Sequence, residues 1–313
     1  MKIVAFGGGH GLAASLRALR RCPPELGLDI TAVVTVGDDG GSSGRLRAER
    51  GGLPPGDLRQ ALAALAASGE KRTADLFQHR FQPPGPLTGH TVGNLVLLGL
   101  MELLGDPVAA LDHAAGMVQA VGRVLPMSCQ PLGIEAEVRG ADPAVPDKVV
   151  TVRGQHNIAV TPGLVESVRL TPATAPACPQ AVAAVAEADW LIFGPGSWYT
   201  SVIPHLLVPE LAGAITASPA RRLVTLNLAE ESETVGLSLA DHLAALRWYL
   251  PGLKVDTVLA DGKAVGDPEP VADAAESLGA QLVLAPVATA DGTARHDPGA
   301  LAAALVPVLG AVR

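Results

Sequence analysis

Short apolar runs alternate with stretches of helical periodicity at both ends of the chain. Lys2 to Phe6 is rich in β-forming residues, and it is followed by glycines and then by leucines at helical spacing. Ile30 to Val36 is a second continuous apolar run, typical of a parallel strand that is covered on both faces. The chain therefore begins with a predicted βαβ unit, whose crossover we expect to be right-handed.

The same alternation returns after residue 170. The predicted strands are Trp190 to Phe193, Leu223 to Leu228, Val255 to Leu259 and Gln281 to Pro286. The predicted helices are Gln180 to Glu187, Val202 to Ile215, Ala240 to Tyr249 and Pro298 to Leu309. Strands that alternate with helices predict an α/β fold with a Rossmann-like, doubly wound and mainly parallel sheet.

The middle of the chain departs from this alternation. Residues 57–122 read as a helical insertion, with helices predicted at Asp57 to Ala67, Arg72 to Phe81, Gly89 to Leu104 and Pro107 to Val121. Residues 123–170 read as a small mixed or antiparallel β section, with strands at Ile134 to Val138, Val149 to Val152 and Val165 to Leu170. Residues 37–56 form a predicted loop, longer than most connections and therefore functional or mobile. We expect one domain over residues 1–313.

Composition narrows the class of protein. The chain has 313 residues, 48% of them hydrophobic, which is enough for a large buried core. Aromatic residues make up only 3% and the net charge is −8, so a nucleic-acid-binding surface is not expected. The apolar start is too short for a signal peptide or a membrane span, which predicts a cytoplasmic protein without membrane insertion. Cys22, Cys129 and Cys178 lack C-x-x-C spacing and are interpreted as buried or incidental free thiols.

The first strand ends in a glycine-rich turn, GGGHGLAA, at residues 7–14. It contains G-x-G-x-x-A in the strand-to-helix context of dinucleotide-binding proteins. Without Cβ atoms the backbone can approach a phosphate, and the free N–H groups at a helix start attract anions. The turn also has a purely structural interpretation, as tight packing under the sheet.

The second strand ends in GDDGGSSGRLR, at residues 37–47. Asp38 or Asp39 could accept hydrogen bonds from ribose hydroxyls, or both could hold Mg²⁺ together with ligand phosphates. The Gly-Ser run can form an anion-binding nest, with Arg45 or Arg47 as a phosphate partner. A flexible surface loop is the structural alternative.

Polar residues in the helical insertion are further candidates. Asp57 is predicted at a helix N-cap, where capping alone could explain it. No capping role explains Arg59, which is expected to face the crevice where the glycine-rich ends of adjacent strands converge. His90 could be an ordinary neighbour of a helix cap, whereas Asn94 lies in an apolar helix and needs a partner.

A third glycine-rich turn, GPGSWYTS at residues 194–201, follows the buried strand WLIF and precedes a predicted helix. It matches neither G-x-S-x-G nor a Walker loop, so neither a serine nucleophile nor an NTPase is predicted. A helix start that binds a phosphate or carboxylate is the preferred interpretation.

Together these segments resemble the YvcK/CofD-like family, also called the gluconeogenesis factor family, and in particular its YvcK branch. The matching segments are GGGHGLAASLRAL, TVGDDGGSSGRLR, LPPGDLRQALAALA, GHTVGNLVL, FGPGSWYTSVIPHLLVPEL and NLAEESETVGLSLADHL. The resemblance implies binding of UDP-sugars such as UDP-N-acetylglucosamine, and support of cell shape and cell-wall growth on gluconeogenic carbon sources. The CofD relatives instead transfer a phospholactyl group from a guanylylated donor to a deazaflavin alcohol.

The loops and the resemblance predict one set of ligand-binding residues. They are Gly8, Gly9, His10, Gly11, Asp38, Asp39, Gly41, Ser42, Ser43, Arg45, Asp57, Arg59, Asn94, Gly194, Gly196, Ser197, Tyr199, Thr200, Ser201 and Asn227. His10 stands where many relatives have Thr. Residues 227–234 keep only the Asn, Glu and Thr of the relatives' pattern, so the rim of the site is expected to differ.

The predicted function is binding and regulation, because no complete set of acid, base and nucleophile is present. The alternative is a Mg²⁺-dependent transferase that resembles the CofD branch, with Asp38 and Asp39 as metal ligands. NAD-dependent hydride chemistry ranks lowest, since it rests on the first turn alone. A homo-oligomer and contacts with regulators of cell-wall synthesis are left open as partners.

Overall fold

The described part of the computed structural model, residues 1–142 and 144–311, contains ten strands and fourteen α-helices. The strands are β1 Lys2–Gly7, β2 Asp29–Val34, β3 Arg123–Pro126, β4 Gly133–Arg139, β5 Val149–Arg153, β6 Leu164–Thr171, β7 Trp190–Phe193, β8 Arg221–Thr225, β9 Thr257–Ala260 and β10 Gln281–Leu284. The helices are α1 Gly9–Leu19, α2 Gly41–Arg50, α3 Pro55–Leu65, α4 Lys71–Gln78, α5 Val92–Leu104, α6 Pro107–Met117, α7 Gln155–Val160, α8 Pro179–Glu187, α9 Pro204–Leu207, α10 Pro209–Ala217, α11 Leu239–Tyr249, α12 Gly262–Val265, α13 Glu269–Ser277 and α14 Pro298–Gly310.

Seven strands form the main sheet in the order β10-β9-β8-β7-β1-β2-β3, and every neighbouring pair is parallel. β1 pairs with β2 on one side and with β7 on the other, so the order reverses between β1 and β7. The rings of Phe6 and Phe193 stack across this junction inside the core, with their centroids 4.8 Å apart. The predicted doubly wound α/β fold is confirmed, and a crevice is expected at the carboxyl ends of β1 and β7.

The antiparallel sheet β5-β4-β6 lies outside the main sheet. Ile134, Ala136 and Val138 alternate along β4 on a buried face. The other face carries an exposed cluster of charges, in which Arg169 bridges Glu135 and Glu137. The period-2 pattern of apolar and charged residues therefore explains why this segment forms a sheet with one buried face.

Two sequence predictions differ from the structure here. The sequence predicts residues 123–126 as part of the small β section, but β3 is the edge strand of the main sheet. It pairs with β2, and its Val124 and Leu125 are buried. Residues 41–50, predicted as loop, form α2. Gly44 permits that helix, because a Cβ at this position would overlap the carbonyl oxygen of Asp39. The sequence patterns also do not predict α7, α12 and α13.

The helical insertion is confirmed in outline as α3 to α6. α3 packs on α1, β2 and β3, while α6 packs on β3 and α5. The insertion therefore covers the β2–β3 end of the sheet and brings the start of α3 next to the first turn. Within residues 1–142 and 144–311, none of the helices is long and apolar enough to cross a membrane.

Candidate ligand-binding site

The first and third glycine-rich turns touch each other through their backbones. A Cβ on Gly11 would overlap the carbonyl oxygen of Pro195 and would lie 2.6 Å from the Cα of Gly196. The hydroxyl of Ser15 in α1 donates a hydrogen bond to the carbonyl oxygen of Gly194 over 3.1 Å. The two turns thus form one continuous wall at the point where the strand order reverses.

Asn227, which follows β8, fixes the position of Gly196. Its Oδ1 accepts a hydrogen bond from the Gly196 N–H at 2.9 Å, and its Nδ2 donates to the Gly196 carbonyl oxygen at 3.0 Å. Both ends of the amide are therefore used by the third turn. The predicted candidate Asn227 lies in the site, where it orders the turn and also lines the crevice.

Asp57 approaches the first turn from the start of α3. A Cβ on Gly8 would overlap Asp57 Oδ2 and would lie 2.5 Å from Cγ2 of Thr35. Within the described residues, neither Asp57 Oδ2 nor Thr35 Oγ1 has a hydrogen-bond partner, although both atoms are buried. Unpaired buried oxygens are rare in proteins, so these two atoms are candidate donors to a bound ligand, ion or water.

The environment of Asp57 is unusual for a carboxylate. Burial, reinforced by the charge of Asp38, raises the pKa of Asp57 to about 7, while the Gly9 N–H and Arg59 oppose the shift. The predicted N-cap role of Asp57 is wrong, because α3 begins at Pro55 and has Pro54 at its N-cap position. Two prolines pre-organise the helix start, so Asp57 lies within the first turn and is free for other interactions.

The two aspartates of the second loop point to different places. Asp38 Oδ1 accepts a hydrogen bond from the Gly40 N–H at 3.0 Å, and its Oδ2 lies beside Gly56 and the Ser43 hydroxyl. Asp39 Oδ1 instead accepts a hydrogen bond from the His156 N–H of α7 at 2.8 Å. Asp39 therefore ties the loop to the small sheet, whereas Asp38 is the carboxylate whose charge acts on Asp57.

Four buried polar side chains form a chain of hydrogen bonds behind α2. Arg59 Nε donates to Asn94 Oδ1 at 2.8 Å, and Asn94 Nδ2 donates to Ser42 Oγ at 3.0 Å. The same hydroxyl is 3.0 Å from Nδ1 of His90. The expected partner of Asn94 is thus Arg59 together with Ser42, and His90 belongs to this network.

The guanidinium of Arg59 is only partly paired. Among the residues that the structure describes, its Nη1 and Nη2 make no hydrogen bond, although 95% of the residue is buried. Burial and the charge of Arg80 lower the pKa of Arg59 to about 10, so the group is still cationic at neutral pH. A buried cation with free donors is a binding group for an anion.

The remaining candidates of the second loop lie near its surface. Gly41, with φ of +47°, begins α2 and has open space where a Cβ would stand. Arg45 is exposed, and its Nη2 donates to the carbonyl oxygen of Thr88 at 2.9 Å. Arg45 therefore joins α2 to the helical insertion.

Three of the predicted contacts in the third turn are directed into the protein. Tyr199, Thr200 and Ser201 are buried in a π-helical turn, Trp198–Val202. Glu233 accepts hydrogen bonds from the Tyr199 N–H at 2.8 Å and from the Thr200 hydroxyl at 2.9 Å. Burial raises the pKa of Glu233 to about 7. Only Gly196 and Ser197 of this turn keep partial exposure.

A crevice of 380 Å³ opens at the junction of β1 and β7. His10, Gly11, Gly196 and Asn227 line it together with residues that the sequence analysis missed. These are chiefly Arg17, Arg295 and His296. Partial burial, and then the charges of Arg17, Arg295 and Arg59, lower the pKa of His10. Three arginines therefore project positive potential toward the first turn.

A more open cavity of 730 Å³ adjoins this crevice near the ends of β8, β9 and β10. Leu228, Thr289 and Ala294 line both spaces. In the described part of the chain, no group of three or more His, Cys, Asp or Glu side chains could hold a metal ion. A cation here would need hydroxyl or ligand oxygens in addition to two carboxylates.

Residues 3–286 match the family model described as "2-phospho-L-lactate transferase CofD". The chain belongs to the CofD family. Within that family it is 51% identical over 309 residues to a Mycobacterium tuberculosis protein named "Putative gluconeogenesis factor", covering 97% of this chain and 89% of the relative. It is 38% identical over 267 residues to the "Gluconeogenesis factor" of Bacillus subtilis, covering 85% and 80%.

The fold of this CofD-family chain is also found in a solved relative. A crystal structure of a UPF0052 family protein from Bacillus halodurans superposes with a TM-score of 0.85 at 34% identity, covering 97% of this chain and 99% of that one. The predicted resemblance to the gluconeogenesis factor branch of the CofD family is thereby confirmed.

Proposed function

We propose that this chain is a regulatory protein that binds a nucleotide sugar, a UDP-sugar such as UDP-N-acetylglucosamine. In this role it would support cell shape and cell-wall growth on gluconeogenic carbon sources. The observation that carries the proposal is the crevice at the junction of β1 and β7. There two backbone turns meet below a rim that includes Arg17 and Arg295.

The diphosphate of such a ligand is assigned to the first turn. The first helical N–H groups of α1 begin at Gly9, and a helix N-terminus attracts anions. Arg17, Arg59 and Arg295 provide cationic donors around the same turn. The volume of the crevice and of the adjoining cavity falls within the range of small-molecule sites, which leaves room for a nucleoside and a sugar.

The interior of the site favours binding over turnover. The hydroxyl of Thr200 is occupied by Glu233, and the hydroxyl of Ser42 by His90 and Asn94. These hydroxyls therefore support the loops. The names of the M. tuberculosis and B. subtilis relatives also describe a factor.

Isothermal titration calorimetry of the purified chain with UDP-N-acetylglucosamine tests the proposal. We expect saturable binding, and a loss of at least about tenfold in affinity for Arg295→Ala, because a charged hydrogen bond is worth about 1.5–3 kcal/mol. Arg247→Ala, an exposed arginine of α11, is the matched control and should bind normally. Absence of heat with UDP-sugars in general would reject the proposal.

A second function, a Mg²⁺-dependent transferase, is favoured by one specific observation. Asp57 Oδ2 and Thr35 Oγ1 have no hydrogen-bond partner among the described residues and lie beside the charge of Asp38, and hard oxygen donors of this kind fit Mg²⁺. Asp38 and Asp57 would hold the ion, in place of the Asp38 and Asp39 pair inferred from sequence. When bound, the ion would neutralise phosphate charge.

Incubation with guanylylated or uridylylated phospho-donors and Mg²⁺ tests this second function. Release of a nucleoside monophosphate that is lost in Asp38→Asn would establish the transferase. If no donor releases a nucleoside monophosphate and UDP-sugars bind without metal, the transferase function is rejected and only the binding function stands.

A further inference from the structure

The two outer edges of the small antiparallel sheet differ. β4 lies in the middle of this sheet, with β5 on one side and β6 on the other. The outer edge of β6 contacts α11, because the Val168 N–H donates a hydrogen bond to the Tyr249 hydroxyl at 2.7 Å. Within residues 1–142 and 144–311, no strand pairs with the outer edge of β5. The edge of β5 therefore offers backbone groups to a further strand.

The ladder between β4 and β5 determines which backbone groups are used inside the sheet. The Gly154 N–H donates to the Ile134 carbonyl oxygen, and the Gly140 N–H donates to the Lys148 carbonyl oxygen. The register between these two pairs is continuous. In an antiparallel ladder hydrogen-bonded pairs alternate with non-hydrogen-bonded pairs, so the even-numbered residues of β5 bond to β4.

The odd-numbered residues of β5 consequently direct their backbone groups away from β4. These are the N–H and C=O groups of Val149 and Thr151 and the N–H of Arg153. The Arg153 carbonyl oxygen already accepts a hydrogen bond from Asn157 Nδ2 at 2.9 Å. The open edge thus carries three N–H donors and two carbonyl acceptors in the spacing of a β ladder.

The sequence of β5 does not block pairing at this edge. Natural edge strands are often protected by proline, by a bulge or by a charge that points inward. β5 reads VVTVR, with β-branched residues at four positions and a regular ladder on its inner side. Val149 is 37% exposed, and the Arg153 side chain is 76% exposed. The edge is therefore both accessible and suited to strand addition.

We propose that β5 pairs antiparallel with β5 of a second copy of this chain, so that the two small sheets form one six-stranded sheet. A two-fold axis requires the outward-facing residues of both copies to oppose each other. A register centred on Thr151 meets this condition, since it places Thr151 opposite the partner's Thr151. Val150 then lies opposite the partner's Val152, on the same side of the sheet as the buried face of β4.

The charges at the two ends of the strand match in this register. Arg153 ends β5, and the exposed Asp147 lies two residues before its start. Antiparallel pairing places Arg153 opposite the partner's Val149, and therefore diagonally next to the partner's Asp147, within reach of a long side chain. This complementarity of the strand with itself favours a second copy over an unrelated peptide. Five paired residues span only about 17 Å, so we expect a weak, concentration-dependent dimer.

Sedimentation equilibrium of the full chain, from micromolar to millimolar concentration, tests the proposal. We expect the weight-average mass to rise from 31.8 kDa toward twice that value. Thr151→Pro should remain at the monomer mass, because proline removes an outward N–H that β4 does not use. Thr151→Ala is the matched control: it also loses the hydroxyl that donates to Glu137 Oε1, but it keeps the N–H and should still dimerise. Circular dichroism should show that both variants are folded.

Several outcomes would overturn the proposal. A wild-type chain that stays monomeric at millimolar concentration would leave the edge of β5 to a strand of another protein. A folded Thr151→Pro protein that dimerises like the wild type would place the interface elsewhere. A monomeric Thr151→Ala protein would assign the effect to the side chain and contradict backbone pairing.

Two measurements that do not depend on proline check the register. In residue-resolved amide exchange, the N–H groups of Val149, Thr151 and Arg153 should slow severalfold as the concentration rises, whereas those of Val150 and Val152 should not change. Equal changes at odd and even positions would contradict the assigned edge. Asp147→Arg should weaken the dimer severalfold, and Asp147→Arg combined with Arg153→Asp should restore it. A double variant as weak as Asp147→Arg alone would exclude the register centred on Thr151.

Discussion

Replacement of Gly11 by alanine tests whether direct backbone contact holds the first and third turns together. A Cβ at this position would overlap the Pro195 carbonyl oxygen and lie 2.6 Å from the Gly196 Cα, whereas ordinary contact begins at 3.4 Å. The Gly196 Cα alone would have to move away by about 0.8 Å and the Pro195 oxygen by more, since neither atom belongs to a side chain that can rotate away. Overpacking of this kind costs about 1–3 kcal/mol, and we expect the free energy of unfolding to fall by that amount.

Urea unfolding followed by circular dichroism measures the effect. The matched control is Gly99→Ala in the middle of α5, where a Cβ meets open space. That substitution should raise the free energy of unfolding by about 0.5–1 kcal/mol, because alanine is the better helix former. Gly11→Ala should also weaken UDP-N-acetylglucosamine binding, since it opens the wall of the crevice. A Gly11→Ala protein as stable as the Gly99→Ala control would refute the reasoning.

Four other substitutions probe the groups around the crevice. Because burial raises the pKa of Glu233 from 4.5 to about 7, its stabilising contribution is complete below pH 4.5 and is lost as the pH rises through 7. Between pH 5 and 8 the free energy of unfolding of the wild-type protein should therefore fall by about 2–3 kcal/mol relative to that of Glu233→Gln. Equal changes of the urea midpoint in the two proteins between these pH values would contradict this. Asn227→Ala removes two hydrogen bonds to Gly196 and should cost about 1–3 kcal/mol in urea unfolding, together with weaker UDP-sugar binding. If Mg²⁺ binds, calorimetry should show that Asp57→Asn abolishes the binding whereas Asp39→Asn preserves it, and the reverse result would restore the sequence-based pair.

The sequence identified the glycine-rich turns because each combines a strand, glycines and a helix start within a few residues. Such signals are local, and in a parallel sheet the carboxyl ends of all the strands meet at one edge. α2 was missed because its first four residues, Gly-Ser-Ser-Gly, have low helix propensity. Its helix depends on the close approach of Gly44 to the carbonyl oxygen of Asp39, a contact that no local pattern reveals.

Contacts between segments that are distant in sequence could not be predicted from local patterns. Arg295 lies far along the chain from the first turn, and it reaches the crevice only because the segment after β10 returns beside α1. Glu233 lies in residues 227–234, where the sequence analysis expects the rim of the site to differ. The structure gives Glu233 an interior role, because it pairs with Tyr199 and Thr200. The proximity of Asp57 and Asp38 likewise depends on the position of α3.

The glycines of the three turns fall into two groups, those required by close packing and those that begin a helix with a positive φ. Gly8 and Gly11 lack side chains because Asp57 and Pro195 occupy the space, so packing alone accounts for them. Among the described residues, no atom would lie closer than 3.8 Å to a Cβ on Gly9 or Gly41; each glycine adopts a positive φ and begins a helix. The Gly9 N–H is directed at Asp57, so an anion at the start of α1 would bind the next helical N–H groups, whereas Gly41 leaves open space at the start of α2. The phosphate-binding assignment therefore depends on Gly9 and Gly41, while the glycines that packing explains determine how closely the walls of the crevice approach.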